Sequence, residues 1–381
     1  MKRYSPDVNE KVFEKTGSHL KMLKFAHCSL NLVDILKVLQ LASNVKNVTF
    51  SYVTLDDDRI DTAAELPQLN NVDLLFEESN PEILNLFMKS SFNRIDLRFF
   101  GDVPYSNFAP LVNVLKTQDK LSSLAFSGIY ESNLFLIPMG KANYQLKEFS
   151  INNCDIEEWD GLETFLAEHV GTIEKFTVQD LRWDPSNTLN HCTKLRSLHV
   201  SQTELNFLGK LNSIEKLSME PPIRTMDSFP NTKQLFLARS TPQVNEIVSS
   251  SMKKIEELEI KFSEVAGIEL PALTKLKFSS TNGTFSQAFF HFHNKIEDLT
   301  FEYCFEIDDG LLETIGTSLI DLKVLRILGD NHLTLRAFDI IKDNFKNLKV
   351  FEMSKWDQKF KKEDWIKLHE INGLKIYTEK F

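Results

Sequence analysis

The stretch Ile296–Leu312, IEDLTFEYCFEIDDGLL, places apolar residues at Ile296, Leu299 and Phe301, a cysteine at Cys304 and a further apolar residue at Ile307. Leu299 and Phe301 alternate as one side of a short strand requires, because successive strand side chains point to opposite faces. Whether Cys304 is a reactive thiol, a metal ligand or a structural residue depends on whether its setting is unique. It is not. Leu146, Phe149, Ile151 and Cys154 repeat the spacing, with Ile156 beyond, and Leu20, Leu23, Phe25, Cys28 and Leu30 repeat it again. Three of the four cysteines share one position of a repeat, which is hard to reconcile with three separate chemical sites.

Without the cysteine the series runs along the whole chain. Its cores are Val45-Val48-Phe50, Leu69-Val72-Leu74, Phe92-Ile95-Leu97 and Leu121-Leu124-Phe126. After the Leu146 unit come Ile173-Phe176-Val178, Leu195-Leu198-Val200, Ile214-Leu217-Met219 and Leu235-Leu237, the last with Thr232 in the first slot. Ile255-Leu258-Ile260 and Leu273-Leu276-Phe278 precede the Ile296 unit. Leu322-Leu325-Ile327, Leu348-Phe351-Met353 and Ile371-Leu374-Ile376 follow it. Sixteen units at a mean step of about 23 residues match the leucine-rich repeat, L-x-x-L-x-L-x-x-N/C-x-L, whose period is 20–29. One unit cannot bury its apolar face alone, but stacked neighbours build a continuous core. The expected fold is therefore an α/β leucine-rich-repeat solenoid, a horseshoe of about 16 irregular repeats. A parallel sheet should line its concave side, with helices and short turns on the convex side. Residues 1–19 are expected to cap the N-terminal end and residues 20–381 to form a single solenoid.

Apolar residues at helical spacing mark the crossovers. They are Leu32, Ile35, Leu36 and Leu39; Trp159, Leu162, Phe165 and Leu166; and Leu335, Phe338, Ile341 and Phe345. Asp308 is placed to cap a helix after Ile307. The steps from Leu195, Ile214 and Ile255 are too short for a full helix, so the part between about 195 and 295 should be thinner on its convex side.

Composition bounds the function. With 42% hydrophobic and 26% charged residues the chain is a folded one, and 30 phenylalanines against 13 glycines imply a large apolar interior. A net charge of −10 disfavours a general nucleic-acid binder, which needs a basic stripe to displace counterions. No apolar run suits a signal peptide or a transmembrane helix. The widely spaced cysteines suit reduced thiols in the cytoplasm or nucleus.

Cysteine at the eighth position is small, tolerates burial and can bond a turn carbonyl through its thiol. Thr203, Ser240, Ser263, Thr281 and Asp330 stand at the same offset. Cys192 has no histidine or aspartate arranged for nucleophilic catalysis and reads as a packing residue. His291 and His293 invite a metal reading, but residues two apart diverge on a helix whose apolar face is Phe285, Phe289 and Phe292. The acidic run Asp56-Asp57-Asp58, with Asp61, lacks the glycine and terminal glutamate of a calcium loop. No catalytic, cofactor or metal motif is present, and none is expected.

Function then falls to the strand residues that point away from the core. On the concave face these include Arg94, Asp96, Arg98, Arg196, His199, Phe236, Glu257, Glu259, Lys277, Asp298, Glu302 and Arg326. Such a face is the usual binding surface of a solenoid, so protein partners are expected, with no nucleic acid and no membrane. Trp183, Trp356 and Trp365 are interface anchors or core residues.

The repeats LKEFSINNCDIEEW and IEDLTFEYCFEIDDGLLETIG resemble the repeat region of F-box/leucine-rich-repeat proteins, and the phenylalanine-rich style is similar to insect members. The resemblance implies a non-catalytic substrate receptor for cullin-type ubiquitin ligases, with ligase subunits among its partners. It covers the repeats alone: MKRYSPDVNEKVFEKTGSH lacks the leucine-proline start and apolar helices of an F-box. An independent scaffold or inhibitor is the alternative. A leucine-rich-repeat GTPase-activating protein fits less well, because that class uses long, regular helical units.

Overall fold

The computed structural model describes residues 14, 16–42, 44–56, 70–87, 89–99, 109–128, 144–154, 160–180, 186–201, 211–220, 228–263, 267–281, 287–304, 306–354 and 374–378. The chain divides into two compact units, Met1–Leu195 and Arg196–Phe381. The first holds seven strands: β1 (Met22–Leu30), β2 (Asn47–Leu55), β3 (Asn70–Glu77), β4 (Ser91–Arg98), β5 (Ser123–Ser127), β6 (Glu148–Asn152) and β7 (Lys175–Gln179). The second begins with β8 (Ser197–Ser201), β9 (Lys216–Met219), β10 (Gln234–Ala238), β11 (Glu257–Lys261) and β12 (Lys275–Ser279). It continues with β13 (Asp298–Glu302), β14 (Val324–Leu328), β15 (Val350–Met353) and β16 (Lys375–Thr378). Within each unit every strand pairs in parallel with its sequence neighbours, so all sixteen repeats yield the strand their spacing predicts. Leu23 faces Val48, and Leu299 faces Leu276 and Leu325, the third position of each repeat.

Two frames differ from the sequence reading. Val48 and Phe50 pair with Leu74 and Phe76, so the third unit starts two residues later than Leu69-Val72-Leu74. Likewise Phe351 pairs with Ile376, which shifts the last unit two residues beyond Ile371-Leu374-Ile376. A slip of two keeps every side chain on its face of the pleat, so the apolar pattern cannot tell the frames apart. In β3 the run Val72, Leu74, Phe76 offers three inward positions where two are needed, and the register shifts beside Val72.

Phenylalanines fill the interior. In the first unit Phe149 lies 6.1 Å from Phe126, 5.8 Å from Phe176 and 5.3 Å from Phe165 of the helix Asp160–Ala167 (centroid distances). In the second, Phe278 stacks on Phe301 at 5.5 Å and meets Phe289 at 6.2 Å. Apart from the half-buried Phe289, these rings are almost fully buried, and each contributes about 1.5–3 kcal/mol.

Several crossover helices start on side-chain caps. The Asn31 carboxamide accepts the Asp34 N–H (2.8 Å) before Leu32–Leu41, and Asp308 accepts the Leu311 N–H (2.8 Å) before Asp309–Ser318. The thinning expected between 195 and 295 is only partial. Pro242–Ser251 is a full helix with Thr241 as its cap and Pro242 in its first turn, and Gln287–Phe292 is a shorter one. Both lie in steps long enough to hold them; the step from Ile255 has no helix among its described residues. On Gln287–Phe292 the buried aromatic is Phe290, whereas Phe292 is exposed, because Phe290 and His293 share the inward side of this short helix.

The turn after each strand explains the cysteines. The residue before the eighth position has a left-handed backbone at His27, Tyr52, Glu78, Asn153, Asp180, Arg239, Phe262, Ser280 and Tyr303, with φ from 44° to 57°. Gly128 and Gly329 take the same place. At Gly329, with φ 106°, a methyl group would meet the Tyr303 Cα at 3.0 Å, so glycine is required there. Elsewhere the conformation costs an L-residue about 1–2 kcal/mol. A repeated bond offsets it: the corner N–H of Glu78, Asn153, Arg239 and Tyr303 donates to the last strand carbonyl of the next unit. Just beyond, a small donor closes the turn on the carbonyl two residues back. Cys154 bonds Asn152 O (3.3 Å), Cys304 bonds Glu302 O (3.6 Å), and Ser79 and Ser263 bond Glu77 O and Lys261 O at 2.9 and 2.7 Å. Ser240 departs from the rule, its hydroxyl buried without a bond; Asp330, at the same offset, is exposed. Thr203 lies outside the described residues.

Candidate functional site

In the second unit the outward residues of β11 to β15 form a network of three adjacent ion-pair groups. Lys275 meets Glu257 at 2.5 Å, one strand away. Lys277 bridges Glu259 (3.1 Å) and Glu302 (2.8 Å). Arg326 bridges Asp298 (2.9 Å) and Glu352 (3.2 Å). Thr300, buried, lies between the two bridging cations in the strand register. The network follows from the register: Glu257 and Lys275, Glu259 and Lys277, and Arg326 and Glu352 stand at equal offsets on adjacent parallel strands, about 4.8 Å apart. Lys277 reaches Glu302 and Arg326 reaches Asp298 diagonally past Thr300. One exposed pair is worth at most about 1 kcal/mol. A cation held by two carboxylates is instead fixed in position, which lowers the ordering cost of a later contact. Lys277 is held above its usual pKa although burial opposes this, because the hydrogen bonds it donates to Glu302 and Glu259, with the charges of those carboxylates, together outweigh desolvation. The Lys277 bond correspondingly holds Glu302 below the carboxylate range.

Phe236 stands beside Glu259 and opposite Ser218, half-buried, where it borders an open depression of about 270 Å³. His199 is bonded to the Ser218 hydroxyl through Nδ1 (2.6 Å). Glu220 accepts Ser201 Oγ (2.6 Å) and meets Arg239 (3.0 Å). Phe236, Glu257, Glu259, Lys277, Asp298, Glu302 and Arg326 are thus brought together. Arg196 is apart, at the start of its strand, facing Glu215 at 3.7 Å. Sequence reasoning missed Ser218; its even offset beside charged neighbours was the available signal.

In the first unit, Arg94, Asp96 and Arg98 form a separate cluster on β4. Arg98 binds both Asp96 oxygens, through Nε at 3.1 Å and a terminal nitrogen at 3.0 Å, and Arg94 approaches at 3.6 Å. The Arg98 guanidinium is held above its usual pKa by the hydrogen bond to Asp96, against desolvation. Beside it, β5 and β6 line the floor with Ser123, Ala125, Ser127 and Ser150, leaving a groove of about 460 Å³ that Lys175 closes on the far side.

The other candidates are structural. All four cysteines are buried and none is in a disulfide, and burial pushes the Cys192 thiol up to about 11. The His293 ring accepts the Leu270 N–H at Nε2 (3.1 Å) and bonds Phe289 O through Nδ1 (2.8 Å), while His291 pairs with Ser318 (2.8 Å). They serve different neighbours and do not converge. Among the described residues no group of three His, Cys, Asp or Glu could hold a metal, and no helix is long and apolar enough to cross a membrane. Trp159, Trp183, Trp356, Trp365, Phe285, Asp57, Asp58 and Asp61 lie outside the described residues.

Parallel one-strand repeats, alternating inward apolar residues and a bonded corner in each turn define an α/β leucine-rich-repeat solenoid. The chain is similar in fold to TLR13, solved as a complex with ssRNA13: TM-score 0.58, 14% identity, 94% of this chain and 57% of that one. It also matches an internalin (inlF) of Listeria monocytogenes, with TM-score 0.39, 12% identity, and 99% and 94% of the two chains. For mouse RP105 in complex with MD-1 the TM-score is 0.46, at 14% identity over 88% and 62%. The chain thus spans less than two thirds of TLR13 and of RP105, and likeness at this identity establishes the fold alone. No protein-family model and no curated protein sequence matches it.

Proposed function

We propose that this chain is a non-catalytic protein-binding scaffold of the cytoplasm or nucleus, a substrate-recognition region related to F-box ubiquitin-ligase receptors. The observation that carries the binding role is the network on β11 to β15 with Phe236 at its margin. A face exposed only to water gains little from two-fold bridged cations, whereas a partner meeting pre-positioned charges around an aromatic ring binds at a lower entropic cost. The ligase relation rests on the repeats with cysteine in the turn, at Cys28, Cys154 and Cys304. That none of the four buried thiols is in a disulfide supports a reducing compartment.

Affinity purification of the tagged chain from native cells tests both parts. The expected result is a protein partner retained together with ubiquitin-ligase subunits, and lost on Phe236→Ala. Absence of every ligase subunit and ubiquitin-linked protein would sink the ligase relation and leave an independent scaffold or inhibitor. Retention of the same partners by Phe236→Ala would sink the placement of the site.

A further inference from the structure

The groove across β4 to β7 of the first unit carries an inference of its own, which rests on the reading of these faces as protein-binding. Its charge is layered. Asp96 lies beneath the surface with 13% of its side chain exposed, while Arg94 and Arg98 above it are 49% and 44% exposed. A guanidinium has five N–H donors, so the two that Arg98 spends on Asp96 leave three for another acceptor. On the opposite wall Lys175 is half exposed, and its carboxylate neighbour Glu148 is already engaged by Lys175 (4.0 Å) and the Ser123 hydroxyl (3.3 Å). A molecule entering the groove therefore meets a cation on each wall, with Glu148 (44% exposed) already paired on the Lys175 side, although the chain as a whole carries −10.

The floor suits a chain. β5 and β6 carry only small residues at their middle outward positions, Ala125 and Ser150, and the walls stand three strand spacings apart, about 14 Å. We propose that this groove binds an acidic segment of a partner protein, with carboxylates on Arg94 and Arg98 at one wall and on Lys175 at the other. Asp96 acts as a positioning residue: it holds both guanidiniums in place before the segment arrives, so less rotamer entropy is lost on binding. A nucleic acid fits less well. Phe126 and Phe149 beneath the floor are buried and offer no stacking surface for bases.

The test is fluorescence anisotropy on the full chain with three labelled probes: a peptide of alternating glutamate and serine, its lysine–serine counterpart, and a single-stranded oligonucleotide. The glutamate peptide alone should bind, more weakly as salt rises. Arg94→Gln combined with Lys175→Gln should lower its affinity by about tenfold. Both side chains are half exposed and Arg98 still neutralises Asp96, so this variant keeps the fold, which circular dichroism checks. Phe236→Ala, in the other unit, should leave peptide binding unchanged, so loss of the cellular partner and loss of the peptide are read separately. Absence of glutamate-peptide binding, equal affinity for the lysine peptide, preference for the oligonucleotide, or an unchanged affinity in the double variant would each overturn the proposal.

Discussion

Phe149→Ala should destabilise the first unit by about 3–5 kcal/mol, the cost of removing a large ring from a close-packed interior. Phe149 is 1% exposed and touches three other rings, Phe126 and Phe176 on the adjacent strands and Phe165 on the crossover helix. It therefore couples one repeat to both neighbours and its strand to its helix. Because repeats interact mainly with their neighbours, the damage should be local. Hydrogen exchange should show β5, β6 and β7 losing protection while β12 to β14 keep theirs. A loss below about 1 kcal/mol in chemical denaturation would mean that the Phe149 site is not packed as described.

Acidification should be nearly as costly, through His169. This ring lies flat against Tyr144, 5.5 Å between centroids, and edge-on to Phe165 at 4.9 Å. It is 2% exposed, and its Nε2 is buried with no hydrogen-bond partner. Burial lowers its pKa from 6.5 to about 4, since a charged imidazolium there would have no water and no counter-ion. The unfolded chain binds the proton near pH 6.5 and the folded one only near 4. The stability this neutral ring contributes is thus fully present above 6.5 and is lost as the pH falls from 6.5 toward 4, by about 3 kcal/mol at most. His293 shifts in the same direction in the second unit, chiefly by desolvation, and protonation there would also end its acceptance of the Leu270 N–H. Carboxylates titrate in the same range, so the diagnostic is the difference from His169→Phe. That variant should lose less stability between pH 7 and pH 4.5 in urea denaturation. Equal losses would contradict the assignment.

The repeat frame was legible because it depends on a local rule, apolar residues at +3 and +5, that every strand obeys independently. What a local rule cannot fix is a slip of two along a longer alternating run, and that is where β3 and β16 departed. The helix at Pro242–Ser251 was readable, since Thr241-Pro242 is a cap followed by a first-turn proline, but averaging it with shorter neighbouring steps hid it. Outward positions were legible as positions. Their partners were not, because Glu257 and Lys275 become neighbours only through the parallel register, although the change of sign at equal offsets from one unit to the next was visible. Nothing local marked the paired burial of Tyr144 and His169, which comes from packing between repeats. The groove of the first unit was hidden for a related reason: it is made by residues that are small, and small residues draw no notice until their long neighbours are placed around them.

The most direct test of the central claim, that the outward face of the second unit binds a protein, is site-specific photocrosslinking in native cells. A benzophenone side chain at position 236 should crosslink to a protein partner, and one at the exposed helix-side position Ile320 should not. Crosslinks from position 320 with none from position 236 would place the partner elsewhere and contradict the account.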